Sequence, residues 1–136
     1  MVEIKVDYEG GLHTRALHGP SSAALQTDAP VDNQGRGETF SPTDLLAAAL
    51  GSCMLTVMGI VAQRHGWGLE GAQARVEKHM VADPTRRVGR LVVELDFPAT
   101  IPESAREIML NTANTCPVKE SLHPEIEIDL RPHWRS

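Results

Sequence analysis

Two cysteines, Cys53 and Cys116, stand 63 positions apart in a chain of 136 residues. They form no Cys-x-x-Cys pair and match no zinc-ligand spacing, so each thiol is read by its own surroundings. Either could be an inert buried cysteine, the common fate of a free thiol. Either could instead be a nucleophile, provided that its thiolate is favoured. Cys53 sits in an apolar run about twelve residues past a helix N-cap, roughly 18 Å from the positive helix end. The helix dipole is too far away to activate it, and apolar burial raises a thiol pKa, so a nucleophilic Cys53 requires a cation from elsewhere. Cys116 precedes Pro117 and becomes an N-cap, where free backbone N–H groups and the helix dipole favour a thiolate. The same position is equally suited to a plain cap in place of Ser or Asn. The six histidines include no i, i+4 helical pair and no His-Glu-x-x-His segment, so a metal site has no support. His123 before Pro124 reads as a turn residue, and a hydrolytic Cys116–His123 pair would lack both an oxyanion-hole signature and an orienting third group.

The elements that must position these thiols can be read from periodicity. Val2, Ile4, Val6 and Tyr8 alternate up to a Gly10-Gly11 turn, predicting a hairpin whose second strand covers Leu12 to Leu17. Gly19-Pro20 separates it from a third strand around Ser22 to Gln26. Thr27 to Phe40 carries Pro, Asn and two Gly without periodicity and reads as a loop of a length that often carries function. Ser41-Pro42-Thr43-Asp44 then opens a helix, with Ser41 as N-cap and Pro42 at the first position, running to about His65. Gly66 and Gly68 stop it. Alternation at Ala72, Ala74 and Val76 and again at Leu91, Val93, Leu95 and Phe97, divided by Asp83-Pro84, predicts a long antiparallel hairpin. A Thr100-x-x-Glu103 capping box predicts a second helix buried along Ala105, Ile108, Met109 and Thr112 and ending near Asn114. Cys116-Pro117 opens a third, short helix to about Leu122, and Ile126, Ile128 and Leu130 mark a last strand. The order is βββ-α-ββ-α-α-β, which lacks the regular alternation of a doubly wound sheet and any glycine-rich nucleotide fingerprint, so the expected class is α+β.

Length and composition set outer limits. One domain over residues 1–136 is expected, with a core that needs no disulfide or metal staples. The net charge of −5 and the scattered Lys and Arg argue against nucleic acid as a partner. Leu45 to Ala62 is uncharged over eighteen residues, the lower limit for a bilayer span. Ala, Gly, Ser and Thr dilute the run, Asp44 adjoins it and no Trp or Tyr flanks its start, so it reads as a core helix apolar all round rather than a membrane span. The amino-terminal residues do not resemble a secretory signal, and a cytoplasmic location is expected.

Ser41 to Cys53 (SPTDLLAAALGSC) and Cys116 to Leu122 (CPVKESL) resemble the two signature segments of the OsmC/Ohr family, and the chain reads as a divergent OsmC-like member. The coarse element order is similar across nearly the whole chain. The resemblance implies an intertwined homodimer of α+β subunits, with antiparallel sheets around long central helices packed at the interface. It implies a thiol peroxidase, without metal or bound organic cofactor, in which the Cys53 thiolate attacks an organic hydroperoxide and its sulfenic acid condenses with Cys116 into a disulfide. An external dithiol, lipoyl-type or thioredoxin-type, would reset the pair. Full ionisation of a thiol gains only about thirtyfold at neutral pH, so orientation and an Arg fork on the departing oxygen would supply more.

The family's peroxidases carry a glutamate after the helix-opening proline, where it orients the catalytic arginine; Thr43 stands there in this chain. Asp44, one residue on, is a shorter substitute pointing about 100° around the helix, and it also suits a simple capping role. The resemblance places the arginine either in the first hairpin, at Arg15, or in the loop before the helix, at Arg36. Arg36, in Gly35-Arg36-Gly37, is the favoured candidate, with Glu38 as a further stand-in for the carboxylate. The Thr43 substitution also supports an alternative reading: an OsmC-like redox sensor or binding protein with little peroxidase activity.

Overall fold

The computed structural model describes residues 1–136. Strands β1 (Ile4–Gly10), β2 (His13–His18) and β3 (Ala24–Asp28) precede helix α1 (Pro42–His65) and strands β4 (Gln73–Val81) and β5 (Arg87–Phe97). Helices α2 (Arg106–Ala113) and α3 (Pro117–Ser121) and strand β6 (Glu127–Trp134) complete the chain. This is an α+β fold in the expected order, with two three-stranded sheets, β1-β2-β3 and β4-β5-β6. The chain divides into two compact units, Met1–Leu46 and Ala47–Ser136, the division falling early in α1.

In the first unit the β1–β2 hairpin turns through Gly10, Gly11 and Leu12, all at positive φ (85°, 61° and 61°). Two adjacent glycines supply the left-handed backbone that most side chains resist. β3 starts two residues later than the composition suggests because Ser22 belongs to the preceding turn, with φ 62° and its N–H on the His18 carbonyl at 2.8 Å. The antiparallel register sets Arg15 between Asp7 and Gln26, and His13 opposite Asp28.

The segment from Asp28 to α1 is a built loop. It contains one 3-10 turn, Val31–Asn33, and is tied back by N–H groups of Gly37 to the Ala29 carbonyl (3.2 Å) and of Asp28 to the Phe40 carbonyl (3.0 Å). Gly35 lies so close to Ala29 that a Cβ would fall 1.7 Å from its carbonyl oxygen. At the start of α1 the Asp44 N–H donates to Ser41 Oγ (3.1 Å) while the Ser41 N–H donates to Asp44 Oδ2 (2.9 Å). This reciprocal box satisfies donors that a helix end otherwise leaves unpaired.

In the second unit α1 buries Ala47, Leu50, Gly51, Met54, Met58 and Ala62, one stripe at helical spacing. The expectation of a helix buried all round is therefore corrected: Ala48, Ala49, Ser52, Thr56 and Ile60 are exposed. Its inward face lies on β4, where a Cβ on Gly51 would meet Val76 Cγ2 at 3.0 Å and Ala74 Cβ at 3.4 Å. Over an eighteen-residue stretch of mean hydropathy 2.2, α1 is long and apolar enough to cross a membrane, but the buried third of that stretch (33%) forms part of this unit's core. β5 supplies the centre of that core, with Leu91, Val92, Val93, Leu95 and Phe97 almost fully buried. Such burial on both faces is expected of a middle strand.

Two further expectations change. The sheets are not antiparallel throughout, since β6 runs parallel to β5. A parallel neighbour needs a crossover, and the segment holding α2 and α3 provides it. The second helix does not begin at Thr100: a 3-10 turn, Glu103–Ala105, comes first and α2 starts at Arg106, with no side-chain cap. Thr100 Oγ1 instead donates to the Gly68 carbonyl at 2.6 Å. The buried positions are Ala105, Met109 and Ala113, while Ile108 is 41% exposed.

Candidate active site

Cys53 lies on α1 one residue before the buried Met54, on the margin of the inward stripe, and is partly exposed. Cys116 follows α2 and caps α3 as its sequence suggests, with extended backbone (φ −63°, ψ 143°), Pro117 at the first turn and the Lys119 N–H donating to Sγ at 3.3 Å. The second unit brings the two together, close enough for the Cys53 side chain to act on the Cys116 thiol. Both are free thiols.

The cap does not make Cys116 acidic. Cys116 is fully buried. Burial pushes its thiol above the ordinary range, the N–H groups of Lys119 and Val118 pull it back in part, and contact with Cys53 raises it further. The expectation that the helix N-terminus favours the thiolate is thereby corrected: desolvation of a charged sulfur outweighs the cap. α3 spans only five residues, which limits the dipole that it can offer.

Arg36 and Asp44 belong to the first unit. Arg36 is exposed, between the tightly packed Gly35 and Gly37 at φ 61°. It lines a cavity of about 470 Å³ together with Glu9, the Gly10-Gly11 turn, His13, Asp28 and Glu38. Asp44 serves the capping box with Ser41. Arg15 is exposed on β2, and the backbone N–H of Glu38 donates to Asp28 Oδ2 at 3.1 Å. His123 is a turn residue, its Nδ1 accepting from the Glu125 N–H at 3.0 Å. No group of three or more His, Cys, Asp or Glu side chains is arranged to hold a metal.

Sequence reasoning missed the His13–Asp28 pair. Asp28 is buried, and His13 Nδ1 lies 2.5 Å from its Oδ1. Hydrogen bonding to Asp28 is the main force raising the His13 pKa, with Glu9 adding to it, and the same bond holds the Asp28 carboxyl below its usual range with help from Arg36. Fifteen residues separate the partners. Only the β2–β3 register, which the sequence did not specify, places them across from one another.

An α+β chain that joins a thiol on a long apolar helix to a second thiol at a Cys-Pro helix start defines a class of two-cysteine proteins. The chain belongs to the OsmC family of OsmC-like proteins, which matches residues 35–131 and so includes both cysteines. It is similar to a protein of Psychrobacter arcticus 273-4 that is provisionally assigned to osmotic stress induction and detoxification response. The two share 47% identity over 98% of this chain and 96% of that one, with a TM-score of 0.92. The organic hydroperoxide resistance protein OsmC of Legionella pneumophila shares the fold at 18% identity, covering 97% and 96% of the two chains, with a TM-score of 0.78. So does the organic hydroperoxide resistance protein OhrB of Bacillus subtilis, at 14% identity over 98% of each chain and a TM-score of 0.72. Among curated proteins none matches the sequence.

Proposed function

We propose that the chain is a cysteine-based organic hydroperoxide reductase, a single OsmC-like domain over residues 1–136 that works as a cytoplasmic homodimer. The observation that carries this reading is the contact between the partly exposed Cys53 and the buried Cys116. The Cys53 thiolate attacks the terminal oxygen of the hydroperoxide, the O–O bond breaks, and the alkoxide takes a proton and leaves as alcohol. The Cys53 sulfenic acid then condenses with the Cys116 thiol, releasing water and forming the disulfide. Because Cys116 is already beside Cys53, capture needs no long excursion, an advantage of proximity. Arg36 is the proposed cation at the reacting oxygens, with Asp44 assigned to orientation. A dithiol of lipoyl or thioredoxin type returns the pair to thiols. The likeness of the Psychrobacter arcticus protein over 98% of the chain supports the single domain, and the exposed apolar face of β1 supports the dimer.

The test is consumption of cumene hydroperoxide by the purified protein with a dithiol, beside Cys53→Ser and Cys116→Ser. Consumption is expected to stop in Cys53→Ser, and the peroxide-treated wild type should lose two hydrogens and link Cys53 to Cys116. Equal consumption by wild type and Cys53→Ser would sink the assigned nucleophile. Thr43 and the raised pKa of Cys116 favour one second reading, a redox sensor or binding protein. A disulfide formed at stoichiometric peroxide without turnover would identify it.

A further inference from the structure

We propose that the reductant enters the Cys53–Cys116 disulfide at Cys53 and that Cys116 is the sulfur expelled. The inference rests on the disulfide chemistry proposed above and on a geometric asymmetry between the two sulfurs. Cys53 is partly exposed, whereas Cys116 has no accessible surface. Thiol–disulfide exchange proceeds by thiolate attack on one sulfur, and access decides which. The incoming sulfur must also approach from behind the sulfur that it attacks, in line with the S–S bond.

Cys116 is enclosed by the protein, with no surface open to an incoming sulfur. The Lys119 N–H points at its Sγ, and the Cys116 N–H is bound to the Ala113 carbonyl at 3.3 Å. α3 is further fastened by Lys119 Nζ donating to Asn114 Oδ1 (2.8 Å) and Ser121 Oγ donating to the Pro117 carbonyl (2.7 Å). Attack at Cys116 would require this segment to open, whereas attack at Cys53 leaves it in place.

In the step itself, one thiolate of the dithiol bonds to Cys53 Sγ, the S–S bond breaks, and the electron pair departs on Cys116. The N–H groups of Lys119 and Val118 offset part of the cost of that buried charge until a proton arrives from the reductant's second thiol. The second thiol, now a thiolate, attacks the reductant's own sulfur in the mixed disulfide. That releases the Cys53 thiolate and leaves the dithiol oxidised to its disulfide. Burial makes Cys116 a slower leaving group than an ordinary thiol, but a closed approach is the larger barrier: each tenfold of lost access equals an opening free energy of about 1.4 kcal/mol.

The deciding measurement is the reaction of 4,4′-dithiodipyridine with the two single-cysteine proteins, followed by thiopyridone absorbance. Cys53 in Cys116→Ser should react at least about tenfold faster than Cys116 in Cys53→Ser; equal or reversed rates overturn the proposal. A second measurement uses the wild-type disulfide, formed with diamide, challenged with excess glutathione, acid-quenched, alkylated with N-ethylmaleimide and mapped by mass spectrometry. Glutathione on Cys53 with maleimide on Cys116 is expected, and glutathione on Cys116 overturns it. Diamide makes the disulfide without peroxide, so a protein that links with diamide but not with hydroperoxide loses the peroxidase reading and keeps this one. Failure to link with either reagent overturns both.

Discussion

Asp28 is an acid with two duties, accepting from His13 across the β2–β3 pair and from the backbone of Glu38 in the loop that carries Arg36. Its carboxyl pKa is lowered and the His13 pKa is raised, chiefly by the bond between them. The stabilisation from His13 is complete below its ordinary value of 6.5 and is lost as pH rises through the higher folded value. That from Asp28 is complete above 3.8 and is lost as pH falls through the lower folded value. The pair therefore contributes most between those two values. In thermal unfolding across pH, the melting-temperature difference between wild type and His13→Gln should be largest in that window and shrink on the alkaline side. A difference that does not vary with pH would show that the imidazole acts only by its shape. At Cys116 the same scale gives the opposite lesson: the cap was legible in Cys116-Pro117, but burial, which outweighs the cap, was not.

Among the elements, the loop before α1 depends most on individual residues. Gly35 is required by its contact with the Ala29 carbonyl, and Gly37 by its positive φ. Gly35→Ala should lower stability by about 1–3 kcal/mol, the usual range for overpacking, as measured by denaturant unfolding. Hydrogen exchange at Glu38 should quicken as its bond to Asp28 is lost. Normal protection at Glu38 in that variant would show that the loop absorbs the methyl group. α1 was the most legible element, because Ser41, Pro42 and Asp44 mark its start and Gly66 its stop. α2 was less so: Thr100 and Glu103 have the spacing of a capping box, yet Thr100 is drawn to a carbonyl distant in sequence. The parallel placement of β6 was equally hidden, because an alternating strand carries no mark of its partner's direction.

For the molecule as a whole, the exposed apolar surface calls for a partner. Ile4, Val6 and Tyr8 are 59%, 60% and 68% exposed along β1, and α1 leaves one side uncovered. Apolar side chains left exposed along a strand or a helix face are characteristic of protein interfaces. The proposed homodimer would cover it, so light scattering should report a mass of two chains and a melting temperature that rises with protein concentration. Val6→Lys combined with Tyr8→Lys should shift the mass toward one chain. A wild-type protein that stays monomeric at high concentration would remove the dimer from the proposed function.

The sequence by itself determined the α+β order, the start and length of α1, the cap at Cys116 and, through two short segments, the OsmC-like family. These are local properties: periodicity, turn chemistry and capping act over a few residues. Tertiary structure decided which groups meet. It set Cys116 against Cys53, His13 against Asp28 and Thr100 against Gly68, and it laid β6 parallel to β5. It also decided how deeply each group lies, and so the direction of the Cys116 pKa. Desolvation depends on everything packed around a sulfur, most of which is remote in the chain.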